Sequence, residues 1–432
     1  MKVLVVGAGP AGATTALLLA RYGVDVTLVE REMSFERVFR GEGRMPVGID
    51  ALFQMGLQET LESVPYRLVR SWDIWIDGEE AFVIPEPVEE LGGRAMRVVS
   101  QPALLKRMVE EANRYPSFTF ERGVRVHDLI RDGAGRIVGA KLETEDGSRE
   151  ERADLVIGCD GRGSLVRTRA NLELQLLPEQ YDVLWYKLPV PEALREGCSI
   201  MIAVAARQHP AICYTSWDER LQYGLVMPKG SLKEMRKKDW VSESIGSAPV
   251  WLAEHVLTNR EQIEGPVMLN VLVGRSTPGR APGVLLLGDA AHPMSPVRAQ
   301  GINLAFRDAI VAANHLVPVL RDNAGADALD AACRAVQAER EPEIVRSQKL
   351  QRQEARGQGD ALSGSWRFEL AKRGARLLGR YRWAQNAWLK RQRELRFGST
   401  EVKLRVSPYW VLGHGPGGEA GADGQRFGLG CP

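Results

Sequence analysis

KVLVVGAGPAGATTALLLARYGVDVTLVE, residues 2–30, decides the fold. KVLVV is apolar and mostly β-branched, as a central strand of a parallel sheet must be. GAGPAG follows at once, from Gly7 to Gly12. The next stretch, TTALLLARYG, has helical spacing and ends on Gly23 as a C-cap. A second strand, VDVTLVE, closes on Glu30. This places Gly-x-Gly-x-x-Gly between a strand and a helix, the context its chemistry requires. Gly7 permits the tight turn, Gly9 lets backbone approach a pyrophosphate, and Gly12 lets helix and strand pack closely. The helix N-terminus offers free N–H groups and a partial positive charge to the anion. Glu30, at the end of the second strand, is placed to accept hydrogen bonds from a ribose diol. The stretch therefore predicts a Rossmann-like dinucleotide site, and does not by itself separate NAD from FAD.

Two further stretches repeat the strand-then-turn pattern. In ADLVIGCDGRGSLVR, residues 153–167, a buried strand runs into Asp160-Gly161 and a polar turn. Taken alone it is an ordinary strand-ending turn. In LLLGDAAHPMSPVRAQGINLAFRDA, residues 285–309, a buried strand ends at Gly288 and a helix opens near Gly301. Asp289 is placed to bond a ribityl hydroxyl or an ordered water, or to cap a helix. The N–H groups around Gly301, Ile302 and Asn303 open a helix that would face an electron-rich ring.

In order and spacing, these three stretches resemble the FAD-dependent aromatic hydroxylases, single-component flavoprotein monooxygenases of the p-hydroxybenzoate hydroxylase type. Flavin-dependent halogenases, squalene epoxidases and geranylgeranyl reductases are relatives of that family. The resemblance implies an α/β fold: a Rossmann-like FAD-binding domain with an inserted, mainly β-sheet substrate domain and C-terminal helices. It implies that Gly7, Gly9, Pro10, Ala11 and Gly12 meet the FAD pyrophosphate, with Glu30 and Arg31 beyond them. It gives Asp160 a part in handling both FAD and NAD(P)H, and gives Asp289, Gly301, Ile302 and Asn303 the ribityl chain and flavin ring. Two weaker matches add candidates. FRGEGRMPVGIDALFQMGL, residues 39–57, offers Arg40 and Arg44, which the sequence does not separate. VVSQPALLKRMVEEA, residues 98–112, offers Gln101.

One departure stands at the ring. Where the family often has Pro-x-Gly-Gly-Gln-Gly, this chain has Pro296-Val297-Arg298-Ala299-Gln300-Gly301. A glycine there would only admit the ring. An arginine is a cation able to stabilise charge on a reduced flavin, or to pair with a carboxylate or phenolate through its planar fork. Arg298 is therefore the catalytic candidate, against the alternative that it turns outward and bonds loop carbonyls. His292 reads as part of the motif's structure rather than as a base.

The expected organisation is a discontinuous FAD-binding domain of residues 1–70, 97–170 and 270–330. Residues 71–96 and 171–269 would form the substrate domain, walled by strand-like runs such as DVLWYKLP and LQYGLVMPKG. Trp185, Tyr186, Tyr214, Trp217 and Tyr223 are candidate lining or core residues. Residues 331–400 read as basic helices with more than twice as many Lys and Arg as Asp and Glu. Leu370, Leu377, Tyr381, Ala384 and Trp388 fall on one helical face. That face fits docking on the FAD domain, and a basic amphipathic helix also suits weak peripheral contact with an anionic membrane. Residues 401–432 form a Gly-rich tail expected to be disordered, and its GHGPGG lacks a following helix pattern.

Composition bounds the rest. The net charge of +2 over 432 residues gives no electrostatic case for nucleic acid. The five cysteines form no CxxC pair, which fits a reducing cytoplasm and no metal site. Met1 leads straight into a strand with no leader pattern, and no apolar run reaches membrane-spanning length. The function the resemblance implies is oxygenation of an aromatic or other electron-rich small molecule by O2, through a flavin C4a-hydroperoxide. FAD is the resident cofactor and NADPH or NADH the transient reductant. Its rivals are a flavin-dependent reductase of an isoprenoid or quinone, a flavin-dependent halogenase and a non-catalytic FAD-binding module. QYGLVMP lacks the tryptophans of the halogenase barrier motif.

Overall fold

The computed structural model describes residues 1–36, 41–235, 237–379 and 381–406. Arg40 and the Gly-rich tail beyond Val406 lie outside the described residues.

The strand Lys2–Val6 sits inside a six-stranded sheet. It pairs in parallel with Asp25–Glu30 on one side and Leu155–Gly158 on the other. Phe118–Arg122 and Val284–Leu286 extend the parallel run outward, and Arg280–Ala281 adds an antiparallel edge. All three glycine- or aspartate-bearing turns thus leave the same carboxyl edge of one sheet, where such folds bind their ligands. The helix Pro10–Arg21 is buried almost throughout, against the helices Gln101–Ala112 and Gln300–Arg321. Leu17, Leu18, Leu19, Phe306 and Ile310 are fully buried in that layer. This is why a helix with so little polar surface is stable here: it is wrapped, not amphipathic.

A seven-stranded sheet faces that edge. Its strands run in the order Glu264–Leu269, Tyr181–Pro189, Arg220–Pro228, Ala211–Thr215, Ser199–Val204, Ser71–Ile76 and Glu79–Pro85. Every junction is antiparallel except Ser71–Ile76 against Ser199–Val204, which is parallel. Strand alternation sends successive side chains to opposite faces. Tyr186 and Tyr223 pair across two strands, stack at 4.9 Å and pack away from the first sheet with Leu252 and Val256. Their neighbours Trp185, Ile212 and Ile202 point the other way, toward the carboxyl edge.

The helix Ala326–Ser363 runs back along Gln300–Arg321, and a buried charge network joins the two. Asp308 accepts from Arg340 at 2.7 Å and from His292 at 2.7 Å, and Arg307 donates to Glu343 at 2.8 Å. Arg340 also donates to Glu343. The later helices sit elsewhere than their pattern suggests. Trp366–Leu378 rests on the hairpin Ser71–Pro85, with Phe368 buried against Ile76 and Lys372 reaching Asp77 at 2.9 Å. Leu370, Leu377 and Tyr381 are more than half exposed. The single face inferred for residues 370–388 fails because the helix stops at Leu378 and another starts at Arg382, which resets the phase. Among the described residues no helix is long and apolar enough to cross a membrane.

Candidate active site

A cavity of about 1100 Å³ lies between the carboxyl edge of the first sheet and the inner face of the second. It begins at the phosphate loop. Gly7 holds φ +97°, and a Cβ there would come within 2.6 Å of the Cys159 carbonyl oxygen. A Cβ on Gly12 would meet the Gly7 carbonyl oxygen at 1.8 Å, so the helix can lie this close to the loop only as glycine. Gly9 is different: a Cβ there would meet nothing within 4 Å. Its missing side chain leaves open space at the helix N-terminus, on the cavity wall beside Pro10 and Ala11. Glu30 lines the same end and accepts the Ala8 amide at 2.8 Å and the Glu32 amide at 3.0 Å.

Of the residues expected to meet the cofactor, Gly7, Gly9, Pro10, Ala11, Glu30, Arg31, Gln101, Asp160, Asp289, Gly301 and Ile302 all line this one cavity. Gly12, Arg44 and Asn303 stand behind the wall instead. Arg44 is fully buried, donates to the Gly41 carbonyl at 3.2 Å and lies over the Phe306 ring. Burial lowers its pKa to about 10. Asn303 is a stitch: it accepts the Met45 amide at 3.1 Å and donates to the Ala299 carbonyl at 2.6 Å. Asp160 lines the cavity and also caps the helix Leu165–Arg169. It accepts from Ser164 Oγ at 2.5 Å and from the Leu165 and Val166 amides at 2.7 and 3.1 Å. His292 is buried away from the cavity, bonded to Asp308.

An FAD fits what these residues leave unsatisfied. Open space at Gly9 faces the free N–H groups of the helix Pro10–Arg21, as a pyrophosphate needs. Gln101 is buried, opens its own helix and has a side-chain Oε1 with no protein partner. An orphaned buried acceptor of this kind is costly unless a ligand donates to it. At the far end, the helix Gln300–Arg321 points its N-terminus at the cavity, with Asp289 beside Gly301.

The loop before that helix answers why an arginine stands there. Arg298 and Ala299 hold φ +58° and +50°, the left-handed region that glycine favours. The backbone keeps the shape of a glycine pair although neither residue is glycine. The Arg298 guanidinium is clamped rather than free. It donates through Nε to Glu354 at 2.9 Å and lies over the rings of Trp72 and Trp388 at 4.2 and 4.6 Å. Burial lowers its pKa, against the pull of Glu354. Trp72 in turn donates to Glu86 at 2.6 Å, which accepts both prongs of Arg396. The ring loop, the second sheet and the C-terminal helices therefore meet at this one arginine.

The inner face of the second sheet is almost wholly apolar, with Val183, Trp185, Ile202, Ile212 and Val226 on the cavity. One row breaks this. Lys187, Gln222 and Tyr214 lie side by side across three strands. Beside them is Glu42, a cavity residue whose carboxylate accepts from Lys187 at 3.3 Å and from Ser216 Oγ at 2.7 Å. Sequence reasoning named Tyr214 but missed the other three. A lysine inside YDVLWYKLP and a glutamine inside RLQYGLVMP were the signals.

Residues 1–343 match the family described as FAD binding domain, and the chain belongs to that family. It is an FAD-dependent oxidoreductase of the monooxygenase kind. The chain is 33% identical to the 6-methylpretetramide 4-monooxygenase of Streptomyces rimosus, over 82% of this chain and 83% of that protein. It is 29% identical to a 3-(3-hydroxy-phenyl)propionate/3-hydroxycinnamic acid hydroxylase of Burkholderia cenocepacia, covering 71% of this chain but only 55% of that longer one. The crystal structure of p-nitrophenol 4-monooxygenase from Pseudomonas putida shares the fold at a TM-score of 0.76 and 19% identity, over 92% of this chain and 98% of that one.

Proposed function

We propose that this enzyme hydroxylates an extended, mostly apolar aromatic compound bearing at least one phenolic hydroxyl, with NADPH or NADH as a reductant that docks and leaves. The observation that carries this is the continuity of the cavity: one space runs from the phosphate loop to an apolar sheet face with a single polar row. The names of the relatives support it, since one acts on 6-methylpretetramide and another on a hydroxyphenyl acid.

Bound FAD, once reduced, supplies the activation of O2 and the oxygen atom. The chain's part is binding, orientation and exclusion of water. Gly9, Pro10 and Ala11 cradle the pyrophosphate, Glu30 and Arg31 lie toward the ribose, and Gln101 donates or accepts along the chain between. Asp289 and the amides of Gly301 and Ile302 hold the far end. Gly12 and Asn303 keep the wall in shape. Asp160 caps a helix at the mouth, where the reductant would enter. Arg298 acts as a positioning residue: its charge is already matched by Glu354, so its work is to fix the ring loop. Trp185, Ile202 and Ile212 hold the flat face of the substrate and keep water out.

The test is a screen of phenols of increasing size for stimulated NAD(P)H oxidation, with oxygen uptake and product mass measured together. One oxygen atom added per NAD(P)H consumed is expected. Saturated product without oxygen incorporation would instead identify a reductase, and halide-dependent product a halogenase.

One observation favours a second, additional property. Trp366, Leu370, Leu377, Tyr381 and Trp383 are exposed beside the exposed Arg367, Arg373 and Arg382. This combination suits weak contact with an anionic lipid surface.

A further inference from the structure

The polar row on the substrate sheet has an outlet. Glu42 is 5% exposed as a side chain and lines the cavity. Lys187 Nζ lies 3.3 Å from Glu42 Oε1, 3.2 Å from Ser216 Oγ and 2.6 Å from Asp218 Oδ2. Asp218 is about a quarter exposed. A connected set of hydrogen bonds therefore runs from the cavity wall to solvent through an otherwise apolar sheet. On the cavity side, Gln222 is 2% exposed, lines the space and has a side-chain Oε1 without a partner. It sits in register between Lys187 and Tyr214. A buried side-chain amide whose oxygen has no protein donor, at the head of a charged chain, is open to a polar group of a ligand.

We propose that Glu42 takes the proton of the substrate's phenolic hydroxyl, that the Gln222 side-chain amide donates an N–H to the hydroxyl oxygen and then to the phenolate, and that Lys187 and Asp218 pass the proton to water. The idea rests on the phenolic-substrate reading above and gives it a proton path. The step balances. The substrate O–H bond breaks and a carboxyl O–H bond forms on Glu42. Lys187 hands a proton to Asp218 as it takes one from Glu42, so its own charge is unchanged. Asp218 releases its proton to solvent. The substrate keeps the electron pair as a phenolate, a far better nucleophile toward an electrophilic oxygen than the neutral phenol.

The surroundings suit a group that takes and gives back a proton. Burial raises the Glu42 pKa, while Lys187 and the Ser216 hydroxyl lower it and Asp218 raises it. Arg44, Tyr214 and the buried Cys198 thiol are the other ionisable groups that face it. With both carboxylates ionised, the Lys187 and Arg44 cations balance them, and a proton taken up by Glu42 is passed on through Lys187 to the partly exposed Asp218. A general base works best with a pKa brought toward the operating pH, and burial moves Glu42 that way.

The experiment uses the FAD-loaded protein with 4-nitrophenol and 1-naphthol as probes, one small and one of two fused rings. Bound phenolate is read by difference absorbance against pH, and released protons by an indicator dye. The wild type should bind a probe as phenolate below that probe's free pKa and release about one proton per site, the one the phenol loses. Glu42→Gln should raise the apparent pKa of the bound probe by about one unit or more, roughly a tenfold loss of phenolate at fixed pH. Flavin content should stay normal in that variant. Asp218→Asn, at a partly exposed site, should slow proton release after a pH jump by about tenfold, the rate cost of losing the last acceptor. Binding without phenolate or proton release in the wild type overturns the relay and leaves the phenolic reading intact. So do unchanged titration in Glu42→Gln and unchanged release in Asp218→Asn. Failure of both probes to bind any form overturns the phenolic reading itself.

Discussion

Replacing Arg298 with glycine removes strain and removes a clasp, and the structure says which effect is larger. The gain comes from the backbone. A non-glycine residue at φ +58° pays about 1–2 kcal/mol for the left-handed conformation, which glycine would not. The loss comes from the side chain, only 8% exposed. Removing one partner of a buried ion pair costs about 3–5 kcal/mol, and Glu354, a fifth exposed, puts this case at the low end. Two indole faces at 4.2 and 4.6 Å add about 1 kcal/mol each. The net expectation is a loss of about 3 kcal/mol, with the loop rather than the whole fold bearing it. The assay is urea titration read by tryptophan fluorescence, because Trp72 and Trp388 are themselves the clasp, alongside flavin retention. Arg298→Lys should recover part of the loss, since it keeps the charge but not the stacked planar fork. A glycine variant as stable as the wild type, yet slower in flavin reduction by tenfold or more, would refute this reasoning. It would return Arg298 to the part of a reacting cation.

Four other outcomes follow from the structure. Gly9→Ala should fold normally, because its Cβ meets no protein atom, yet retain FAD at least about tenfold more weakly; full flavin occupancy in that variant would remove the phosphate assignment. Gly12→Ala should instead lower folded yield, read by circular dichroism, since its Cβ would lie 1.8 Å from a carbonyl oxygen. Asp308 is held below the usual carboxylate range: burial opposes ionisation, but His292 and Arg340 outweigh it. Its stabilising contribution is therefore present above the unfolded value of about 3.9 and fades as pH falls below it. Asp308→Asn should lower stability at neutral pH and flatten the acid limb of the curve, whereas a parallel acid limb would show that other carboxylates govern it. Replacing Trp366 and Trp383 with serine should reduce co-sedimentation with anionic phospholipid vesicles, and equal recovery would exclude a lipid role for that face.

The end of this cavity nearest Gly9 was legible in the sequence because its requirements are local. Gly7, Gly12 and Glu30 act through backbone turns and strand ends within one βαβ unit, and short-range spacing records such needs directly. The sheet face opposite was legible only in single residues such as Trp185 and Tyr214, because their grouping is written in cross-strand register. Lys187, Gln222 and Tyr214 become neighbours only when three strands align, and Glu42 arrives from just before the short strand Gly43–Arg44, 145 residues from Lys187. The clasp on Arg298 is harder still, since it needs Trp72, Glu354 and Trp388 from three distant segments. The basic helices misled for a related reason: a break near Gly379 resets the helical phase that a single-sequence pattern assumes to be continuous. This division has a functional consequence. Backbone-encoded sites tolerate little change, because a Cβ at Gly7 or Gly12 has nowhere to go. A row of side chains on a sheet face tolerates exchange, because each residue there is held by its strand and not by its chemistry. On the function proposed above, Gln222 and Tyr214 are the cavity positions at which exchange would alter the substrate while leaving the flavin untouched.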